Sequence, residues 1–526
     1  MVPGPLMLLA DRAITMGTEF APVAIVIANG RIEAIGPAAE VRPGRAVRVL
    51  DLAGTIVTPG LVDAHIHLTE WALARRDLDL SGTRSPEEAA SQVAGEEVGR
   101  AGGWIRGRGW NPHLWNGREP HRSVLDVVVP GVPIALQSHD MHALWVNGEA
   151  MARAGITSET ADPAGGRIVR DSRGDATGLL LENAAELVTR VVPAPDPAAT
   201  VDAVLEAQAV LHAFGITGVH AFPSIHIPEA EPLSGIEAVR ASGRLRLRVL
   251  QHLPLRMLDE ALRIGLRSGF GGEWIRIGAI KMFLDGALGS RTAWMRAPYE
   301  NDAGRFGVQT MERGEFGYHV RRAAAAGLAT TVHAIGDAAV GLALDVLNDQ
   351  SLAVAAMPHR IEHVQCCPPE RVGEPGAAGI TCSVQPAHLM TDWAIADRHW
   401  GPARARATYA FRSFLGGGAV LAFGSDAPVE PADPRLGLHA AVTRMTPDGM
   451  PASGWYAEQR LSAHEALHGY TRGPAVAAGR PDHGRLVAGL PADLVAWDRD
   501  PTRCSPAELL GLRAEATIVG GDVVHS

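Results

Sequence analysis

The feature that most constrains the fold is an alternation of apolar, strand-like segments with alanine-rich, helix-like stretches between residues 56 and 426. Parallel strands need long crossover connections and are buried on both faces, so this alternation is typical of a parallel α/β sheet. Eight segments have this character: 56–67, 215–222, 245–252, 275–283, 329–334, 359–365, 380–385 and 419–426. Eight strands separated by helices predict a (β/α)8 TIM barrel.

Both ends of the chain contain short strand-like segments with tight turns. Near the start, Asn29-Gly30 is a strong hairpin turn between two apolar segments. Near the end, the comparable segments are 484–487, 492–497 and 517–519, the last followed by Gly520-Gly521. Each end is too small for a core of its own, so we expect residues 1–57 and 480–526 to share one small β-sandwich. The barrel would then occupy 58–479.

The connection between the first two strand-like segments is unusually long. It suggests an inserted subdomain at 70–210, and an insertion at the carboxyl ends of barrel strands lies over the active site. Indoles and polar residues in this region suit a substrate wall, so we predict that it shapes the substrate site. The alternative is a peripheral subdomain whose tryptophans serve only its own core. Predicted substrate contacts here and after the fourth strand are Trp110, Trp115, Asp140, His142 and Arg291.

Candidate metal ligands lie at the carboxyl ends of five of the eight segments. His65 and His67 are two residues apart on one strand and therefore point the same way, with Asp63 on the same line. The others are Lys281, His333, His363 and Asp426. Catalytic residues of a TIM barrel gather at this end, and imidazole suits zinc, iron, copper and nickel, so the set predicts a metal site.

Composition excludes several other classes of function. A net charge of −10 and a pI near 6.1 argue against nucleic acid as a partner. The four cysteines occupy no candidate ligand position, which disfavours a thiolate metal site or a disulfide framework. No signal peptide is evident, and no apolar run is long enough to span a bilayer, so we expect a cytoplasmic protein that binds no membrane.

The ordered set of ligands resembles the amidohydrolase superfamily of metal-dependent hydrolases, and the finer resemblance is to its YtcJ-like (amidohydrolase 3) branch, which includes N-substituted formamide deformylases. Longer strings carry the branch-level resemblance: 138–147 (SHDMHALWVN), 165–171 (GGRIVRD), 281–293 (KMFLDGALGSRTA), 333–337 (HAIGD), 360–363 (RIEH) and 424–431 (GSDAPVEP). These strings run over nearly the whole chain in the expected order.

The resemblance implies a hydrolase that cleaves a C–N amide bond by attack of metal-bound hydroxide. One or two divalent ions, with zinc expected, would be held by His65, His67, His333, His363 and Asp426, together with a carboxylated Lys281 that bridges two ions. Asp426 would also act as the proton shuttle. The expected partner is a small-molecule amide. The oligomeric state stays open, with a homodimer as one alternative.

Several alternatives stay open at this stage. Lys281 could remain an unmodified amine paired with Asp285 or with the substrate, and Asp426 could be a helix N-cap. Second-shell residues that could fix a ligand tautomer, or could equally form barrel-end salt bridges, are Asp63, Asp337 and Glu362. The bond could belong to a cyclic amide, carbamate or ester. A non-catalytic signalling protein is a further alternative, disfavoured because all six ligands are present.

Overall fold

The computed structural model describes residues 4–96, 103–224 and 232–526. Residues 1–3 of the predicted sandwich and 97–102 of the predicted insertion lie outside them. The strands are β1 (Leu6–Ile14), β2 (Glu19–Phe20), β3 (Val23–Ala28), β4 (Arg31–Pro37), β5 (Arg48–Pro59), β6 (Leu61–Ile66), β7 (Leu78–Asp79), β8 (Ile105–Trp110), β9 (Ile134–Ser138), β10 (Ala143–Val146), β11 (Gly166–Arg170), β12 (Ala176–Glu182), β13 (Ile216–Ala221), β14 (Arg248–Pro254), β15 (Ile275–Phe283), β16 (Thr330–Ala334), β17 (Arg360–His363), β18 (Thr381–Val384), β19 (Val420–Phe423), β20 (Leu494–Trp497), β21 (Ala514–Val519) and β22 (Asp522–His525).

The α-helices are α1 (Leu68–Ala74), α2 (Pro86–Ala94), α3 (Arg122–Asp126), α4 (Gly148–Arg153), α5 (Glu186–Thr189), α6 (Pro197–Ala213), α7 (Pro232–Ala241), α8 (Leu258–Arg263), α9 (Arg313–Ala325), α10 (Asp337–Leu347), α11 (Glu374–Ala378), α12 (His388–His399), α13 (Gly401–Ala405), α14 (Phe411–Gly416), α15 (Pro434–Thr443), α16 (Ala463–Tyr470), α17 (Arg472–Ala477) and α18 (Pro506–Leu510). Among the residues described, no helix is both long enough and apolar enough to cross a bilayer.

Eight parallel strands form the central sheet, in the order β6, β13, β14, β15, β16, β17, β18 and β19. Each strand coincides with one of the eight segments predicted from the sequence, apart from the last two residues of β14, so the TIM-barrel prediction is confirmed. All five residues of β16 are buried, as expected for a strand covered on both faces.

The sheet closes between β19 and β6 at the carboxyl ends of these strands. Asp426 N donates to His65 O at 2.7 Å, and His67 N donates to Ala427 O at 3.0 Å. A β-carbon at Gly424 would lie 2.4 Å from His65 N, so the close approach requires glycine there. The seam of the barrel therefore runs through three of the predicted ligands, His65, His67 and Asp426.

The two chain ends form one eight-stranded sheet, in which β5 pairs with β20 antiparallel and with β1 parallel. Asn29 and Gly30 form the predicted hairpin turn, with φ of 52° and 75°, as a type I′ turn requires. The predicted strand at 484–487 does not form, although Leu486 is buried in the core of this sheet. The sandwich arrangement and the domain boundaries stay predictions.

A third sheet lies within the predicted insertion, in the order β11, β12, β10, β9, β8 and β7. Two apolar clusters pack around it, one of them centred on Trp110, Trp115 and Trp145. Residues 70–210 therefore include a sheet with its own core, which adjoins the carboxyl ends of the barrel strands.

Candidate metal centre

The predicted ligands converge on one small pocket at the carboxyl ends of the barrel strands. This histidine pocket has a volume of about 50 Å³, and its lining includes His65, His67, Lys281, His333, His363 and Asp426. Ring centroids are 5.6 Å apart for His65 and His67, 5.0 Å for His65 and His363, and 4.5 Å for His333 and His363. The structure thus brings together four histidines that are spread over about 300 positions of sequence.

One ring nitrogen of each histidine is held by a partner outside the pocket. His65 Nδ1 donates to Glu362 at 2.6 Å and His67 Nδ1 to Pro223 O at 2.8 Å. His363 Nδ1 lies 2.8 Å from Gln385 Oε1, and His333 Nε2 lies 3.0 Å from Gly286 O. These contacts fix the tautomers and leave the other nitrogen of each ring available as a ligand.

The available atoms have the spacing that a metal requires. His65 Nε2 is buried and has no hydrogen-bond partner among the described residues, and it lies 3.3 Å from Asp426 Oδ1. His67 Nε2 lies 3.4 Å from the same oxygen. Ligand atoms around tetrahedral zinc are also about 3.3–3.4 Å apart, since Zn–N and Zn–O bonds are ~2.0–2.2 Å long. His65, His363 and Asp426 each offer an atom within 4.8 Å of the others, so the donor set fits a divalent cation.

A buried ion pair lies beneath the pocket and holds His65 in place. Arg360 Nε lies 2.9 Å from Glu362 Oε1, and both side chains are fully buried. The Arg360 guanidinium also reaches Ala64 O at 2.8 Å and Ser383 Oγ at 2.7 Å. Although burial would raise the pKa of Glu362, Arg360 and His65 hold it well below its usual range. Glu362 is therefore placed to orient His65, as predicted for a second-shell residue.

Lys281 enters the pocket between two aromatic rings. Its Nζ lies 4.7 Å from the centroid of Phe222 and 4.6 Å from that of Phe283. Burial lowers the pKa of the amine to about 8. Within residues 4–96, 103–224 and 232–526, no carboxylate lies within 4.0 Å of Nζ, and Asp285 instead accepts backbone N–H groups of Trp294, Ile335 and Gly336. The alternative of a Lys281–Asp285 pair is not observed.

Lys281 is also the only lysine among the 48 lysine and arginine residues of the chain. Arginine therefore serves at every other basic position. A guanidinium remains protonated and is a poor nucleophile, whereas a buried amine with a lowered pKa is available for covalent chemistry. This bias favours a role that only an amine can fill.

The electrostatic environment suits neutral imidazoles beside an ionised carboxylate. Burial lowers the pKa of His65 to about 4 and holds those of His333 and His363 well below the usual value. Burial alone would raise the pKa of Asp426, but the histidines around it keep it well below its usual range. Metal ligation needs these protonation states.

Two of the candidate ligands have unusual backbone conformations. His363 and Asp426 have φ of 71° and 60°, in the left-handed region that side chains other than glycine rarely adopt. No helix begins at Asp426, because the next one, α15, starts at Pro434. The N-cap alternative for Asp426 is therefore not observed, and its side chain faces the histidines.

The other two predicted second-shell residues have different partners. Asp63 accepts hydrogen bonds from the backbone N–H groups of His65 and Ser425 and from the Ser425 hydroxyl group. It therefore links the two strand ends at the seam of the barrel instead of orienting an imidazole ring. Burial raises its pKa to about 7. Asp337 accepts the backbone N–H of Arg296 at 2.8 Å. The His333 ring lies closer to Asp285 than to Asp337, since His333 Nε2 is 3.5 Å from Asp285 Oδ1.

Of the two tryptophans predicted to contact substrate, Trp115 does not have the predicted arrangement. Trp115 has no exposed surface, stacks on Trp110 at 5.6 Å, and donates its indole N–H to Thr83 O at 3.1 Å. Trp110 is also buried, although one edge adjoins a larger cavity beside the pocket. Both indoles belong to the core of the insertion, which corrects the prediction that Trp115 contacts substrate.

Asp140, His142 and Arg291 do lie near the pocket. His142 Nδ1 lies 2.7 Å from Glu182, whose carboxylate overcomes the effect of burial and raises the pKa of His142 to about 9. Asp140 accepts hydrogen bonds from the hydroxyl groups of Ser138 and Ser290. Arg291 lines the larger cavity. The insertion thus provides a cationic imidazole at the edge of the histidine pocket.

Two residues of the site were missed by the sequence prediction. His388 Nε2 is buried, has no hydrogen-bond partner among the described residues, and lies 3.6 Å from Asp426 Oδ2. It follows the seventh strand-like segment closely, so its position at a strand end was an available signal. Glu182, the partner of His142, lies on β12 of the insertion, and no periodicity of the sequence points to it.

The fold and the pocket together define the class of the protein. It is a metal-dependent hydrolase built on a parallel barrel, with histidines and a carboxylate in a pocket at the carboxyl ends of the strands. The sequence profile of the amidohydrolase family matches residues 48–525. The chain belongs to this family, which confirms the resemblance in its motifs.

Relatives match over most of their length. The chain is 30% identical over 484 residues to the putative amidohydrolase YtcJ of Bacillus subtilis, covering 90% of each chain. It is 29% identical over 530 residues to the N-substituted formamide deformylase of Arthrobacter pascens, covering 95% of this chain and 94% of the relative. It is 32% identical over 547 residues to the protein LONG AFTER FAR-RED 3 of Arabidopsis thaliana, covering 99% and 92%.

A solved structure has the same architecture. The crystal structure of an uncharacterized metal-dependent hydrolase from Pyrococcus horikoshii aligns with a TM-score of 0.77 and 27% identity, covering 95% of this chain and 99% of the other. Family and fold together identify a metal-dependent hydrolase that acts on a small molecule.

Proposed function

We propose that the protein hydrolyses the C–N bond of an N-substituted formamide or a related N-acyl amine. One or two divalent ions, with zinc expected, would be held by His65, His67, Lys281, His333, His363 and Asp426. The observation that carries this proposal is the buried Nε2 of His65, which lacks a hydrogen-bond partner among the described residues and lies 3.3 Å from the Asp426 carboxylate.

The bound metal would supply a Lewis acid for the amide carbonyl and lower the pKa of a water molecule toward ~7. Asp426 would accept the proton of the attacking water and return it to the nitrogen of the leaving amine. His142, held as a cation by Glu182, would stand at the edge of the pocket as a hydrogen-bond donor.

The preference for formamides rests on similarity. The deformylase of Arthrobacter pascens is similar over nearly its whole length. Larger cavities next to the histidine pocket have room for the substituents of such an amide.

We propose further that Lys281 is carboxylated and bridges two ions. A neutral amine is the form that adds to carbon dioxide, and burial lowers the pKa of Lys281 to about 8. No carboxylate within the described residues pairs with it, so a carbamate would supply the anionic oxygens that its position otherwise lacks.

Metal analysis followed by a substrate screen tests the function. Purified protein should contain one or two equivalents of divalent metal, and it should hydrolyse members of a panel of N-substituted formamides, acylated amines and lactams. Chelation should abolish activity, and added zinc should restore it. Equal rates before and after complete metal removal would overturn the metal-dependent mechanism, and activity confined to lactams would overturn the formamide assignment.

The single lysine makes the carbamate directly observable. With ¹³C-labelled bicarbonate, the wild-type protein should give one carbamate carbonyl resonance that is missing from Lys281→Arg, a variant without any lysine. The same signal in both proteins would come from the chain's terminal amine and would count against carboxylation of Lys281.

A further inference from the structure

A second, larger cavity adjoins the histidine pocket. Its volume is about 460 Å³, within the range of small-molecule sites. It shares part of its wall with the histidine pocket, including His139, Asp140 and Thr391. A substrate whose reacting bond lies in the histidine pocket can therefore extend into this space.

Five arginines line this cavity, and we call it the arginine cavity: Arg167, Arg170, Arg291, Arg305 and Arg398. Their pairing is incomplete. Arg291 meets the exposed carboxylate of Glu119 at 3.4 Å, and Arg305 meets Asp302 at 3.0 Å. Arg398 forms no ion pair within the described parts of the chain, 4–96, 103–224 and 232–526.

Three of these arginines lie close enough to affect one another's charge. Burial lowers the pKa of Arg291, and Arg305 lowers it further. Burial lowers the pKa of His399 to about 4, and the guanidinium groups of Arg291, Arg398 and Arg305 lower it further, so the imidazole stays neutral beside them. The positive charge of this wall therefore comes from the arginines, and holding their like charges together costs free energy that a bound anion would recover.

The acidic residues of the cavity do not neutralise this cluster. Asp140 accepts hydrogen bonds from Ser138 and Ser290, and Asp392 accepts the Tyr409 hydroxyl at 2.5 Å. Of the three acidic residues that line the cavity, only Glu119 contacts an arginine of the cluster, and it is largely exposed; Asp302, which pairs with Arg305, lies outside the lining. The three carboxylates do disfavour a dianionic ligand such as a phosphate, so a singly charged group suits the cavity better.

We propose that the arginine cavity binds a carboxylate at the far end of the substrate, so that the preferred substrates are N-acyl amines whose amine portion ends in a carboxylate. This inference rests on the proposed amide hydrolysis. Guanidinium groups bind carboxylates through paired, charge-assisted hydrogen bonds. Apolar residues of the same cavity, including Val169, Leu179 and Ile395, would contact the body of such a substrate.

A matched pair of substrates tests the proposal. N-Benzylformamide and 4-(formamidomethyl)benzoate contain the same scissile bond and differ by one carboxylate. The wild-type enzyme should prefer the carboxylate by ~10²-fold in kcat/KM, since a hydrogen bond to a charged group is worth tenfold or more. Arg291→Gln, Arg305→Gln and Arg398→Gln combined should remove most of this preference through KM. Arg499→Gln, which changes an exposed arginine paired with Asp498, is the matched control and should retain it.

Two outcomes would overturn the proposal. One is an equal preference in the wild-type and triple-variant enzymes. The other is a wild-type preference for the corresponding phosphonate, which would assign the cavity to a dianion. If neither formamide is hydrolysed, the proposed function fails, but calorimetry with 4-(formamidomethyl)benzoate still tests the cavity. Binding that the triple variant lacks would then support anion recognition, and equal binding by both proteins would refute it.

Discussion

The histidine pocket and the arginine cavity share a wall, yet they are built in opposite ways. In the pocket, each candidate ligand comes from a barrel strand or the residues just after it and is buried, and each histidine has its second ring nitrogen held by a fixed partner. In the cavity, the arginines come from the insertion, from the loops after β15 and from α12, and their ion pairs are partly exposed.

This difference separates chemistry from recognition. A metal site tolerates little displacement of its ligands, so it needs the rigid strand ends of the barrel and the buried ion pair beneath them. A charged substrate group can be held by side chains that retain some freedom and act through their summed field. Changes in the pocket should therefore affect every substrate, whereas changes in the cavity should affect only charged ones.

The largest expected effect is the loss of stability when the buried ion pair of Arg360 and Glu362, which forms the floor of the histidine pocket, is broken. Glu362→Gln should lower the free energy of unfolding by ~3–5 kcal/mol, because it leaves the buried guanidinium of Arg360 without its carboxylate. Glu465→Gln, which breaks the more exposed pair with Arg412, should cost less than ~1 kcal/mol. Urea unfolding of both variants measures the difference. Equal losses would mean that the floor is no more constrained than the surface.

Asp426→Asn should lower turnover at least ~10²-fold on neutral and carboxylate substrates alike, the usual effect of losing a positioned proton carrier. Fold and much of the bound metal should remain. Asp433→Asn is the matched control, since Asp433 is a true N-cap whose carboxylate accepts the N–H of Arg435 at 3.0 Å. Steady-state kinetics on metal-replete protein decides, and near-normal turnover in Asp426→Asn would return this residue to a structural role.

His388→Phe should reduce kcat/KM about tenfold for both substrate types, because it removes a polar contact to the ionised Asp426. The aromatic ring should still stack against His363, as the imidazole does at 6.1 Å. The control is His464→Phe, which makes the same substitution at an exposed histidine. A loss limited to the carboxylate substrate would instead mean that His388 helps to bind the substrate carboxylate. The histidine pocket and the arginine cavity would then not have separate roles.

The smallest expected effect is in the core of the insertion. Trp115→Phe should lower stability by ~1–2 kcal/mol, through lost packing and the lost hydrogen bond to Thr83. The kcat/KM values for both substrates should stay within twofold of wild type. Thermal unfolding and kinetics on the matched pair measure this, and a selective loss on one substrate would restore the original assignment of Trp115 to the substrate wall.

The sequence by itself determined the barrel and the grouping of the candidate ligands. Strand period and apolar run length are local properties, and the carboxyl ends of parallel strands in a barrel meet at one face. His65, His67, Lys281, His333, His363 and Asp426 could therefore be placed together without coordinates. The Asn29-Gly30 turn was predictable for a similar reason, since its conformation depends on two adjacent residues.

Only the tertiary structure decided the partners of these residues. Glu362 meets His65 across 297 positions and Arg360 lies beneath them both, while Asp63 and Asp337 bind backbone groups instead of rings. Trp115 is buried because it packs in the apolar core of the insertion. The arginine cavity joins β11 to α12, more than 200 positions apart. Such pairings depend on how separate elements pack, and no periodicity along the chain encodes them.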